Sequence, residues 1–190
     1  MFPTSKATLT RKLIAIAIFA SLLLLVSACT VQKQGKGENE NVKIETPVGG
    51  LNVNTSDVNP SDVGVAVYPG ARLKPDGEGE HSRANVNVSS SLFGVKVVAL
   101  NYVSDDPPQK LIDFYKKELA KYGEVLECKN GVHEESDQLK CNEKPRHDRD
   151  KLELVVGTKE RQHIVSVKPD GKGSEFGLVY VQVRGKESAL

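Results

Sequence analysis

The chain has 190 residues, with 26 Lys and Arg against 25 Asp and Glu and a formal charge of +1. Trp is absent and Met1 is the only methionine. This balance excludes a basic nucleic-acid binder, an acidic disordered tail and a multi-span membrane protein. The charge is a sum over two unlike pieces. Lys6, Arg11 and Lys12 fall in the first 28 residues, which hold no acid, and the other 162 residues carry 23 bases against 25 acids. That remainder is long enough for one packed domain of ordinary size.

From Leu13 to Val26 the chain is apolar or small apart from Ser21, a run of 14 residues behind positive charge. A spanning helix needs about 20 apolar residues, so the run reads as the core of a signal peptide over residues 1–28. Val26-Ser27-Ala28-Cys29 resembles the lipobox of bacterial lipoproteins, a small-residue triplet ending in Cys. The resemblance implies cleavage before Cys29, thioether attachment of a diacylglyceryl group to its sulfur, and acylation of the new amino group. Several acyl chains, at about 0.8 kcal/mol per buried methylene, would hold the domain on a membrane. The alternative is an ordinary secretory signal or an uncleaved anchor helix. Thr30 follows Cys29, and it is not the Asp that resembles an inner-membrane retention signal. The expected address is therefore the outer membrane, facing the periplasm, in a cell that has two membranes.

Residues 29–41 read as a lipidated flexible tether, polar and without apolar periodicity. Residues 42–62 read as a short hairpin and linker, with Val42 to Ile44 and Leu51 to Val53 alternating on either side of a Pro-Gly turn. The main domain is expected over 63–185, with a tail at 186–190. It opens on Tyr68-Pro69-Gly70-Ala71, where Pro and Gly suit the two central positions of a type II turn. Ala84 to Ser89 alternates, and Val95, Val97 and Ala99 oppose Lys96, Val98, Leu100 and Tyr102 in a longer strand.

Ser104-Asp105-Asp106-Pro107-Pro108 reads as a helix start, with Ser or Asp capping and Pro near the first helical position. Over residues 107–122, Leu111, Ile112, Phe114, Tyr115, Leu119 and Tyr122 fall on one face, with Glu118 projecting into that stripe. Gly123 ends the helix. Strands follow at Val125 to Cys128, Leu152 to Val156, His163 to Val167 and Phe176 to Val183, with a polar region before Asp150. The predicted fold class is α+β, an antiparallel sheet of about five strands covered by this one amphipathic helix.

Val67-Tyr68-Pro69-Gly70-Ala71, Ser104-Asp105-Asp106-Pro107 and Phe114-Tyr115 with Leu119 together resemble a pattern in uncharacterised bacterial secreted proteins and lipoproteins. The resemblance spans roughly residues 63–185 and implies an envelope domain. It brings no catalytic residues with it.

The lipobox uses one of three cysteines, and in an exported protein the remaining Cys128 and Cys141 are expected to pair. The sharper alternative is zinc, because Cys128, His133, Cys141 and His147 interleave within 20 residues. Those ligand types suit the metal, but the spacing lacks the usual close pair. Glu118 and His163 are the remaining site candidates, for an envelope enzyme. No nucleophile elbow, metalloprotease motif or phosphate loop is present. The leading expectation is a lipid-anchored, non-enzymatic binding module with no cofactor and no nucleic-acid partner. Its partners would be the membrane, through the lipid, and an envelope protein or small ligand.

Overall fold

The computed structural model describes residues 30–34, 41–56, 58–77, 81–136, 138–144 and 150–185. The expected signal peptide, Cys29, residues 35–40 of the expected tether, His147 and the expected tail lie outside these residues. Along the chain the elements are β1 (Thr30–Gln34), β2 (Asn41–Thr46), β3 (Gly49–Asn54), β4 (Arg72–Leu73), β5 (Arg83–Ser90) and β6 (Phe93–Ser104). Helix α1 (Pro108–Leu119) follows, then β7 (Leu126–Cys128), β8 (Val132–Glu135), β9 (Gln138–Cys141), β10 (Leu152–Thr158), β11 (Arg161–Asp170) and β12 (Gly173–Gly185).

The expected five-stranded sheet is replaced by a ten-stranded one. Its order is β1-β2-β3-β5-β6-β12-β11-β10-β7, with β4 beside β6, and β8 pairs only with β9. All pairings are antiparallel. Among the described residues the molecule is therefore mostly strand with one short α-helix, not a small sheet covered by a helix. The reason is pairing between segments that looked separate. Asn54 to Gly49 on β3 lie opposite Asn85 to Ser90 on β5, so the N-terminal hairpin continues the main sheet. Residues Thr30 to Gln34, expected in the tether, pair along β2 as its edge strand. Alternating side chains make this possible, because each strand offers two unlike faces at a period of two.

One face meets α1. Leu111, Ile112, Tyr115 and Leu119 bury against Val98, Leu100, Tyr102, Leu154, Val156, Val165, Val167, Phe176 and Leu178. The segment before β4 adds Val58, Val63 and Val65 to this core. Tyr115 is fully buried, and its hydroxyl accepts the Tyr68 backbone N–H at 2.9 Å. Burial pushes its phenol pKa up, because the ionised form would be stranded in an apolar site. The helix lies closest to β10 and β11 and meets β12 through Tyr115 and Phe176, so it spans a fraction of the sheet.

The helix begins at Pro108 behind Pro107, which makes no side-chain cap. The expected capping by Asp105 or Asp106 is thus replaced by other bonds. Asp105 grips Arg72 through two hydrogen bonds of 3.0 and 2.8 Å. Asp106 accepts from the Tyr68 hydroxyl at 2.8 Å and from Lys110 at 2.7 Å, and these bonds hold its carboxyl below the usual range. The two short motifs that suggested a resemblance therefore bind each other. The turn at Tyr68 to Ala71 closes with a backbone bond of 3.0 Å and places Gly70 at φ 77°.

Candidate functional site

In an antiparallel ladder, directly opposite residues point to the same face. The register therefore assembles three apolar rows on the side away from α1. One row runs Val155, Ile164, Val179, Ala99, Ala84. The next runs Val181, Val97, Val86, Val53, Val42. The third runs Val183, Val95, Val88, Leu51, Ile44, Val31. Apart from Val155, these side chains are half-buried or exposed, and none of them belongs to the core under α1. Between β2 and β11 the rows hold no charged residue, and the second row ends on Lys33 opposite Val42 at the β1 edge and on Gln162 opposite Val181 at β11.

The reverse side of the same strands is different. On β2, β3 and β5 it carries Lys43, Glu45, Asn52, Asn54, Asn85, Asn87 and Ser89, facing solvent where α1 does not reach. An antiparallel sheet with one wetted face normally packs its apolar face on a core. Among the described residues no second layer covers that face over most of its width, and they cover it only at the β10–β7 end. Cys128 lies opposite Glu153 and so shares the face with Val155, and the Cys128–Cys141 disulfide draws β9 across that end. Val155 and Cys128 are fully buried there.

At the end nearer β4, the face gives way to a polar notch of about 120 Å³. Gly177 forms its floor. A Cβ at this position would lie 2.9 Å from Ser166 Oγ and 3.0 Å from Asn101 Oδ1, so the absence of a side chain makes the opening. Beside it, Glu175 bridges Lys74 at 3.2 Å and Lys168 at 3.4 Å. This set can hydrogen-bond a small polar group, but it contains no nucleophile paired with a base.

The residues singled out from the sequence do not converge. Cys128 and Cys141 are joined, with their Cα atoms 5.2 Å apart, so neither sulfur is a thiolate available to a metal. His133 is exposed on β8, and His147 lies outside the described residues. No group of three or more potential metal-ligating side chains occurs among the described residues. Glu118 is ion-paired with Lys121 at 3.1 Å on the helix surface. His163 is buried between the rings of Tyr122 and Tyr180, at centroid distances of 4.0 and 5.0 Å. Its Nδ1 has no hydrogen-bond partner, and burial lowers its pKa despite a bond to the Val63 backbone. It acts as a neutral ring within the packing, beside Tyr122, whose hydroxyl donates to the Gly64 carbonyl. No hydrogen bond or ion pair links Glu118 to His163 among the described residues.

The three apolar rows were visible in the sequence as strand patterns, but their union was not. It depends on registers between segments far apart in the chain. The notch was missed for the same reason, since Asn101, Ser166 and Gly177 come from three strands. Among the described residues no helix is long and apolar enough to cross a membrane. Comparison with protein-family models, with curated proteins and with solved structures gave no match.

Proposed function

We propose that the protein is a lipid-anchored component of the bacterial cell envelope, held by an acylated Cys29, whose domain is a non-enzymatic interaction module. In a two-membrane cell its place would be the outer membrane, facing the periplasm. The single observation that supports the binding role is the uncovered, charge-free apolar face running from β2 to β11.

That face suits a protein surface better than a small ligand. Its centre has no polar group to orient a ligand, and small-molecule sites combine apolar walls with a few placed polar groups. With strands about 4.8 Å apart and rows about 6.8 Å apart, the apolar positions on these six strands give on the order of 450 Å² per partner, the size of a small interface rather than the roughly 800 Å² of a standard one. The partner with matching chemistry is a second copy of this chain. It offers the same flat, neutral surface, and two such sheets stack about 10 Å apart as a sandwich. Anchoring both copies on one membrane would raise their effective concentration.

Sedimentation of the full lipidated chain in mild detergent tests this. The wild type is expected to run as a dimer, and Val86→Asp with Val97→Asp as a monomer with an unchanged circular-dichroism spectrum. A monomeric wild type at high protein concentration contradicts the pairing.

A further inference from the structure

Among the described residues the exposed large apolar side chains are Val31, Val48, Leu92, Phe93, Tyr122 and Val183. Scattered singly, such residues need no explanation. Five of these six, however, gather at one end of the sheet. Thr46 opposite Gly49, Gly49 opposite Ser90, and Phe93 opposite Gly185 align the β2–β3 turn, the β5–β6 turn and the end of β12. Val48 and Leu92, 76% and 71% exposed, are the tips of these two neighbouring hairpins, and Phe93 is 51% exposed beside them.

The tips are built to leave water at low cost. Residues 46–50 and 89–95 contain no charged side chain. Thr46 Oγ1 accepts the Gly49 N–H at 3.1 Å and donates to the Gly49 carbonyl at 2.7 Å. Ser90 Oγ accepts the N–H groups of Leu92 and Phe93 at 3.2 and 3.0 Å and donates to the Phe93 carbonyl at 3.2 Å. Backbone groups satisfied within the turn carry little desolvation penalty when the turn enters an apolar layer. The chain also enters the fold here. Thr30 pairs with Glu45, one residue from the β2–β3 turn, and Thr30 directly follows Cys29.

We propose that the Val48 and Leu92–Phe93 tips insert into the headgroup–acyl boundary of the lipid bilayer that carries the anchor, so that the strands stand along the membrane normal. This rests on the lipoprotein reading. It supplies a second attachment point beside the lipid, and it turns the uncovered sheet face sideways, toward neighbouring molecules on the same membrane.

Because the chain contains no Trp, a single introduced indole reports its own surroundings. The full chain carrying Leu92→Trp or Val48→Trp is mixed with vesicles of phosphatidylethanolamine and phosphatidylglycerol bearing brominated acyl chains. Lys172→Trp, in the exposed β11–β12 turn at the opposite end, is the comparison. The tip variants are expected to shift to shorter wavelength and to be quenched several-fold more than Lys172→Trp. Phe93→Trp repeats the measurement if either tip variant fails to fold. Equal quenching at the two ends overturns insertion. The intact mass of each sample reads lipid on Cys29 separately. Acylated protein without tip quenching removes insertion and leaves the anchor, whereas tip quenching of unacylated protein supports insertion and removes the anchor.

Discussion

The two faces of the sheet are made from the same strands and nearly the same residue types, yet they behave differently. Along β6, Val98, Leu100 and Tyr102 are buried beneath α1, while Val95, Val97 and Ala99 on the other side remain half-buried. Aromatic side chains mark the difference. Tyr102 stacks on Phe176 with centroids 5.4 Å apart, and Tyr115 packs against Phe176 at 5.7 Å, all on the helix side. The three rows on the opposite face are valine, leucine, isoleucine and alanine, and among the described residues no second layer sets an aromatic against them. One face stabilises the fold, and the other is left with apolar area to bury against something else.

Several substitutions separate these roles. The largest expected loss is Tyr115→Ala, about 3–5 kcal/mol in urea unfolding, because a fully buried ring and its bond to the Tyr68 N–H disappear together. Reduction of the Cys128–Cys141 bridge, whose cysteines are 13 residues apart, should cost about 3 kcal/mol and expose Val155 to amide exchange. Val97→Ala should cost only about 1 kcal/mol, since the side chain is already partly in water. A loss at Val97 as large as that at Tyr115 would erase the distinction between the faces.

A smaller effect concerns pH. The pKa of His163 is lowered in the folded state, so the unfolded chain binds more protons just below its ordinary value of about 6.5. Stability contributed by the neutral ring is present above that pH and declines as pH falls through it. Urea midpoints measured between pH 8 and 5 should fall with acid, and His163→Phe should flatten the part of the decline below pH 6.5. An unchanged slope would remove His163 as its source. The smallest effect is expected for Asp105→Asn, because both Asp105 and its partner Arg72 lie in solvent. Its unfolding midpoint should match that of the wild type.

Local structure was largely legible in the sequence. The helix boundaries, the Gly70 turn and the central segments of β5, β6, β10, β11 and β12 follow from period and punctuation. The extent of the sheet was not legible, because pairing β3 with β5 crosses a polar linker and leaves no local trace. Likewise β8 and β9, with Val132 and Leu139 among mostly polar neighbours, offer little periodicity, and the disulfide ties them to the sheet. The alternation Asn85, Val86, Asn87, Val88 announced a two-faced strand but not which side of the sheet its valines take. Register with β6 puts Val86 and Val88 on the side away from α1. Asp105 and Asp106 show the same limit. Their position before two prolines suggested capping, but the turn at Tyr68 and the side chain of Arg72 claim them across the fold.

The most direct test uses two adjacent residues of β5 that point to opposite sides. A photocrosslinking amino acid is placed at Val86 or at Asn87 of the full chain in living cells. Adducts, including one at twice the monomer mass, are predicted from Val86 and not from Asn87. No adduct from Val86, or equal adducts from the two positions, would contradict the assignment of the uncovered apolar face as the binding surface.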